Sequence, residues 1–474
     1  MRKSLIVLIA LLTGLAATTA KAQTKAFATE GDTIRYSGRL YVDSNNSLLL
    51  TLMIVSQNDS MWAWLGSPDQ TNQMFPVTKS YITKDSISVS IKDLSAKLRG
   101  VFVEDPQSHY KPLADAGQQR DNLANSIQGR FFQGMNIRSI TLHRYNGTSP
   151  YYRPQTPKPP FPYEVREVQF ANPQTPYLFH GTLTYPGSAA PHNYNVRHET
   201  PEAPYNYRYP AVILVSGSGA QDRDEAIFGH RPFAVIADQL SRNGIVVLRY
   251  DDRGWGSSDT NLYAGTTADF AEDARCALQY LRSMPMVDTN CVGIIGHSEG
   301  GNIAEMLAAD GSVDFAIFMA APGVSGKEIL ESQTRYILQH QGATKEQLDK
   351  AVEGITQMAQ KTSGMNNRWM NYFYHCDPTP YLRKIKKNKV PVLVLQGGKD
   401  CQVLPEPNIR AMKRNLRRKT ATIAVYADRN HLFQPCVTGL PNEYATIEET
   451  IDPQVVKDMQ AFILYRSTIE KLNK

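Results

Sequence analysis

Cys291-Val292-Gly293-Ile294-Ile295-Gly296-His297-Ser298-Glu299-Gly300-Gly301 is the stretch whose reading decides the fold. Its first half is a short apolar run suited to a buried strand. The residues after it, Asn302-Ile303-Ala304-Glu305-Met306-Leu307-Ala308-Ala309, carry a helical pattern. Between the two, residues 296–300 fit G-x-S-x-G, a strand-to-helix turn that lifts a serine clear of the backbone. A serine hydroxyl is a weak nucleophile, so it needs that exposure and a base within reach. A helix starting at the serine also aims N–H groups and its positive dipole end at any oxyanion formed there. The five-residue pattern is also met by a glycine-rich turn with no chemistry, so residues elsewhere must decide.

Where such a turn serves hydrolysis, an acid and then a histidine follow the serine, each after a later strand. Residues 390–398 read as a buried strand closed by two glycines, with Asp400 just past it. Residues 421–427 read as the next strand, and His431 lies in the loop Asp428-Arg429-Asn430-His431-Leu432-Phe433. Both positions are carboxyl ends of strands, the edge where open parallel sheets gather their catalytic groups. The assignment is Ser298 as nucleophile, His431 as general base and Asp400 as the acid that orients the imidazole. Taken singly, Asp400 is also ordinary turn chemistry and His431 an ordinary loop histidine. Their joint order and position carry the assignment, with Asp428 the acid to examine next. His297 reads as packing at the turn, while His180, His192, His198 and His230 precede the serine and break the order.

An oxyanion hole needs two backbone donors. Glu299 N–H is the first, and the loop Ser216-Gly217-Ser218-Gly219, after the strand-like run 211–215, supplies the second. Ser218 is the choice, with Gly219 its neighbour if the register shifts by one. The loop does not read as a phosphate cradle, because no G-K-[ST] follows and the glycine spacing is not that of a dinucleotide site. The ten histidines and five cysteines contain no H-E-x-x-H and no C-x-x-C, so neither metal nor cofactor is expected.

These residues resemble the alpha/beta-hydrolase superfamily, and within it a bacterial exported esterase-like branch with a small N-terminal beta domain. The resemblance rests on Ser216-Gly217-Ser218-Gly219-Ala220-Gln221-Asp222-Arg223-Asp224, Arg249-Tyr250-Asp251-Asp252-Arg253-Gly254-Trp255-Gly256-Ser257-Ser258, the turn at 296–301, Gly397-Gly398-Lys399-Asp400-Cys401-Gln402-Val403 and Asn430-His431-Leu432-Phe433. It implies an α/β fold with a mostly parallel sheet covered by helices, a helical cap insertion, and carboxylic ester hydrolysis through an acyl-enzyme. A serine peptidase or amidase of the same fold is the alternative, and a non-catalytic binding protein the third reading. Trp255 stands where a small aliphatic is expected, and residues 187–208 look inserted.

Arg2 and Lys3, an apolar core over 5–15, and Ala20-Lys21-Ala22 form a signal peptide with cleavage expected after Ala22. That predicts a periplasmic or secreted protein. No stable membrane anchor is expected, because the apolar core is well short of the ~20 residues a span needs. The organisation expected is a signal peptide over 1–22, an all-beta N-terminal domain over 23–145, a Pro-rich linker over 146–163 and a catalytic domain over 164–474 with its cap at about 323–389. Short, often alternating segments at 47–55, 62–65, 86–91 and 137–142 predict a small barrel or sandwich. Trp62 and Trp64 share a strand face and read as core rather than as a carbohydrate platform. Tyr336, Trp369, Tyr372, Phe373 and Tyr374 read as cap core with pocket lining the alternative. A net charge of +6 on 474 residues is mild and argues against nucleic acid as a partner. Five cysteines leave at least one thiol free; unpaired thiols are expected, with a Cys401–Cys436 bridge the alternative. The partner expected is a small-molecule ester, carbohydrate esters among the candidates.

Overall fold

The computed structural model describes residues 33–41, 47–57, 60–67, 74–91, 96–106, 123–133, 136–145, 153–187, 208–255, 265–360 and 365–472. The expected signal peptide and most of 104–124 and 187–208 lie outside them. The described residues form two compact units that divide between Tyr152 and Arg153.

The first unit is a meander of nine strands: β1 (Thr33–Tyr41), β2 (Ser47–Gln57), β3 (Ser60–Gly66), β4 (Met74–Pro76), β5 (Lys79–Ile82), β6 (Ser86–Ile91), β7 (Ala96–Val103), β8 (Ser126–Gln133) and β9 (Asn136–Arg144). Neighbours pair antiparallel, and β1 also pairs with β9, giving the order β4-β3-β2-β1-β9-β8-β7-β6-β5. The two end strands are parts of one run. Within it Val77 N–H donates to the Ala63 carbonyl of β3 at 2.9 Å and Thr78 N–H to the Ser90 carbonyl of β6 at 2.8 Å. The sheet's ends therefore meet and the meander closes as a barrel. Tyr36, Leu52, Ile54, Leu98, Ile127 and Leu142 fill its interior. The tryptophan expectation needs correcting: Ala63 and Leu65 point inward, so period-2 alternation turns Trp62, 47% exposed, and half-buried Trp64 to the outer face.

The second unit carries β10 (Tyr163–Ala171), β11 (Leu178–Pro186), β12 (Tyr209–Val215), β13 (Val246–Tyr250), β14 (Val287–His297), β15 (Phe315–Met319), β16 (Val392–Gly397) and β17 (Ala421–Tyr426). They form one sheet in the order β10-β11-β13-β12-β14-β15-β16-β17. β11 is antiparallel to both neighbours and every later pairing is parallel. The central strands are buried on both faces, which is why they read as unbroken apolar runs. Ala211, Ile213 and Val215 meet α2 (Thr267–Arg282) and α3 (Glu299–Asp310), while Val212 and Leu214 meet α1 (Pro232–Arg242) and α9 (Pro453–Leu472). Helix starts are written locally: Thr266 and Asp269 form a reciprocal capping box at α2.

Between β15 and β16 lie α4 (Gly326–His340), α5 (Lys345–Gln360), α6 (Met365–His375) and α7 (Thr379–Asn388), and α8 (Pro405–Asn415) follows β16. The first three share a small core of their own that includes Leu330, Ile355, Met370, Phe373 and Tyr374. Leu382 and Ile385 of α7 instead join the sheet's main core, so α7 covers the sheet and α4–α6 form the cap. The C-terminal half of the Pro-rich run is laid on this unit. Arg153 donates to the carbonyls of Phe228 at 2.7 Å, Ala445 at 2.9 Å and Ile447 at 2.9 Å. No helix among the described residues is long and apolar enough to cross a membrane.

Candidate active site

β14 passes into α3 through Ser298, at φ +53° and ψ −120°. A left-handed φ at a residue with a side chain costs ~1–3 kcal/mol and persists only where the surroundings enforce it. Here they do. A Cβ on Gly296 would lie 2.0 Å from the Gly300 carbonyl oxygen, and one on Gly300 2.2 Å from that of Val215, so both places require glycine. Across 291–309, Ser298 alone is not buried.

The turns after β16 and β17 bring Asp400 and His431 together, both buried. His431 Nδ1–H donates to Asp400 Oδ2 at 2.8 Å. Asp400 Oδ1 also accepts the N–H groups of Gln402 at 2.8 Å and Val403 at 2.9 Å, and Oδ2 the Gln396 side-chain amide at 2.9 Å. Four donors on one carboxyl fit an ionised acid. The proton of a neutral His431 then sits on Nδ1, which leaves Nε2 as a base. Asp428 is 69% exposed and engages Lys399 at 3.0 Å, away from His431.

The loop after β12 lies against Ser298: a Cβ on Gly217 would be 3.2 Å from the serine Cβ. Buried Glu225 accepts Gly217 N–H at 2.7 Å and His297 Nδ1–H at 2.8 Å through one oxygen. The other ring nitrogen, Nε2, faces the His431 carbonyl oxygen at 3.0 Å. The same loop is laced to the segment after β13. Arg223 pairs with Asp251, and Arg249 with Asp224. Asp252 Oδ2 accepts Ser216 Oγ–H and Gln221 N–H, each at 2.9 Å. The S-G-S-G-x-Q-D-R-D stretch thus encodes the clamps of a rigid loop.

Glu299, the first residue of α3, is buried and accepts Thr267 Oγ1–H at 2.6 Å and Trp369 Nε1–H at 2.9 Å. Burial raises its carboxyl pKa against the pull of those donors. Burial likewise pushes Asp252 up to about 8, opposed by its bonds from Gln221 and Ser216 and reinforced by the charges of Glu225 and Glu299. Beside them a cleft of about 320 Å³, open solvent included, is lined by Gly219, Tyr250, Asp252, Arg253, Phe270 and Glu299. The Arg253 guanidinium in its wall is held by Asp273 at 2.6 Å and 2.7 Å.

The structure therefore brings Asp400 to His431, and the 216–219 loop to Ser298 and Glu299. Sequence reading missed Glu225, Asp252 and the bridging role of His297; the run of acids after Ser218 was the available signal. Trp369 and Phe373 sit in the cap core. The five cysteines are free thiols, and Cys401 Sγ–H points to the Gly439 carbonyl. One grouping in the barrel imitates a triad, since His143 Nδ1 lies 3.1 Å from Ser126 Oγ and 3.7 Å from Asp105. A single ring nitrogen serves both partners there, so no proton can be taken at one nitrogen while the acid steadies the other.

The family described as Serine aminopeptidase, S33, matches residues 230–434, which contain Ser298, Asp400 and His431. The second unit has the alpha/beta-hydrolase fold, and the matched span lies within it. The chain is 29% identical over 229 residues to Esterase EstD of Thermotoga maritima, across 48% of this chain and 55% of that protein. The chain thus spans about half the length of this curated relative. It is similar as well to the solved acetyl xylan esterase from Paenibacillus sp. R4, at 16% identity and a TM-score of 0.42, over 65% of this chain and 85% of that one. A Pyrococcus furiosus esterase is 13% identical with a TM-score of 0.40, over 68% of this chain and 98% of that one.

Proposed function

We propose that this protein is an exported serine esterase of the alpha/beta-hydrolase superfamily that cleaves small carboxylic esters through an acyl-enzyme. The observation that carries the reading is the buried Asp400–His431 pair, whose hydrogen bond at 2.8 Å leaves Nε2 as a base, combined with the strained, solvent-reached turn at Ser298. Ser298 Oγ attacks the ester carbonyl carbon as its proton passes to His431 Nε2, and Asp400 stabilises the imidazolium. The carbonyl oxygen, now an oxyanion, takes the N–H groups of Glu299 and Ser218. Gly217 N–H is already committed to Glu225, which favours Ser218 as the loop donor. The C–O bond to the alcohol breaks as the alcohol oxygen takes the proton from His431. Water, deprotonated by the same nitrogen, then attacks the acyl carbon, and Ser298 leaves with the proton. The likeness to Esterase EstD supports ester over amide substrates.

The amidase alternative draws on the description of the S33 family. A panel of p-nitrophenyl esters, sugar acetates and aminoacyl-nitroanilides separates the two: ester turnover at least tenfold above nitroanilide turnover is expected. Ser298→Ala should lower turnover by ~10⁶ and abolish fluorophosphonate labelling. Retention of more than a few per cent of turnover would remove Ser298 from the nucleophile role. Export is read from residues 1–22, and N-terminal sequencing of the mature protein should begin at Gln23; a protein that retains Met1 would overturn it.

A further inference from the structure

We propose that His297 is a positioning residue that works as a doubly protonated ring, holding the oxyanion loop and the His431 loop in register on either side of Ser298. This rests on the serine-esterase reading above. Both nitrogens of the buried ring face acceptors, Nδ1 the Glu225 carboxylate at 2.8 Å and Nε2 the His431 carbonyl at 3.0 Å. A neutral imidazole has one N–H and can satisfy one of them; the cation satisfies both. Because the same Glu225 oxygen holds Gly217 N–H, an unbroken chain runs from the oxyanion loop through Glu225 and His297 to the backbone of the base.

The charged groups around the ring come from each element packed on it. Glu225 arrives from the loop after β12, Asp400 from the turn after β16, and His431 itself from the turn after β17, its ring centroid 4.7 Å away. Glu299, on the other side of Ser298, spends its carboxylate on Thr267 and Trp369, and Asp252 spends one oxygen on Ser216 and Gln221. Burial works against the charged ring, but the Glu225 charge and hydrogen bond, the His431 carbonyl and Asp400 outweigh it, so the His297 pKa is raised. The link is complete at low pH and breaks as pH rises through that raised value. One loop is then released, while the nucleophile and base are chemically unchanged.

The test is the pH dependence of kcat/KM on a soluble acetate ester, followed by pH-stat from pH 6 to 10, for wild type, Glu225→Gln and His297→Gln. In Glu225→Gln the new side-chain amide oxygen can still accept both donors, but the charge that retains the second proton is gone. Its alkaline limb is expected at least about one pH unit below that of wild type. His297→Gln should lower kcat ~10–100-fold with KM within about threefold, and show no such limb. A folded Glu225→Gln enzyme whose profile superimposes on wild type, or a His297→Gln enzyme with wild-type kcat, overturns the proposal. Histidine-selective ¹⁵N spectra of the wild type need no variant: a buried ring that keeps both nitrogens protonated above the pH at which a free imidazole loses its proton is expected, and a ring already neutral there overturns it. Fluorophosphonate labelling keeps the two readings apart. Wild type that does not label condemns the serine reading, whereas labelled variants with wild-type pH dependence condemn only the role of His297.

Discussion

The Trp369 indole N–H points between the two carboxylate oxygens of Glu299, at 2.9 and 3.0 Å, and so ties a cap helix to the residue that follows Ser298. With Thr267 on the same carboxylate, the cap and α2 converge on one side chain. Trp369 also stacks on Phe373 with ring centroids 5.5 Å apart.

Trp369→Phe keeps an aromatic ring in that stack and removes the donor. Leaving a buried carboxylate short of one hydrogen bond costs ~1–3 kcal/mol, and we predict a fall in unfolding free energy of that size by urea denaturation. A change under ~0.5 kcal/mol would mean that the bond adds nothing in solution.

Asp400→Asn should preserve the fold and cut kcat on p-nitrophenyl acetate by ~10⁴, because the neutral amide no longer fixes the His431 tautomer or steadies its cation. Asp428→Asn, at an exposed acid engaged by Lys399, should leave kcat within about twofold. A reversed pair of results would move the acid role to Asp428.

Asp252 predicts a pH effect on stability with a definite sign. Its folded pKa of about 8 lies above the ~3.9 of an unfolded aspartate. The stabilisation is therefore fully present below the unfolded value and is lost as pH rises through 8. Asp252→Asn keeps an acceptor for Ser216 and Gln221 without needing the proton. The variant's Tm minus that of wild type should grow from pH 5 to pH 9, and a difference that stays flat would place an ionised acid in the folded protein.

Removal of residues 23–150 should leave kcat on a small soluble ester within about threefold, less than ~1 kcal/mol in barrier. The barrel has its own core, and no residue assigned to the chemistry lies in it. A folded, soluble deletion product with turnover down a hundredfold would show that the barrel completes the site.

The legible parts of this fold were those whose environment is uniform. Residues 211–215, 291–295 and 390–397 lie between two helix layers, so their strands are continuous apolar runs that stand out in the sequence. β1, β7 and β8 were not read, because a barrel strand shows one face to water and Arg35, Arg99 or Gln128 break the pattern on that face. At the site, Asp400 and His431 could be read because each follows a strand end in a fixed order. Glu225 could not: its partner His297 lies 72 residues away, and the bond between them exists only after β12 and β14 pair. Asp252 looked like one acid among several until burial and Ser216 set it apart.

Closure of the N-terminal barrel through residues 74–82 also decides how that module can be recognised. An open sheet offers an edge on which another extended chain can add a strand, and that edge is where domain swapping and fibril growth begin. Here the run that would have been the margin bonds β3 through residues 74–77 and β6 through residues 78–82, so one segment joins the two ends of the sheet. Among the described residues the backbone ladder thus passes from one end of the sheet to the other, and the outer face presents side chains that include Trp62 and Tyr81.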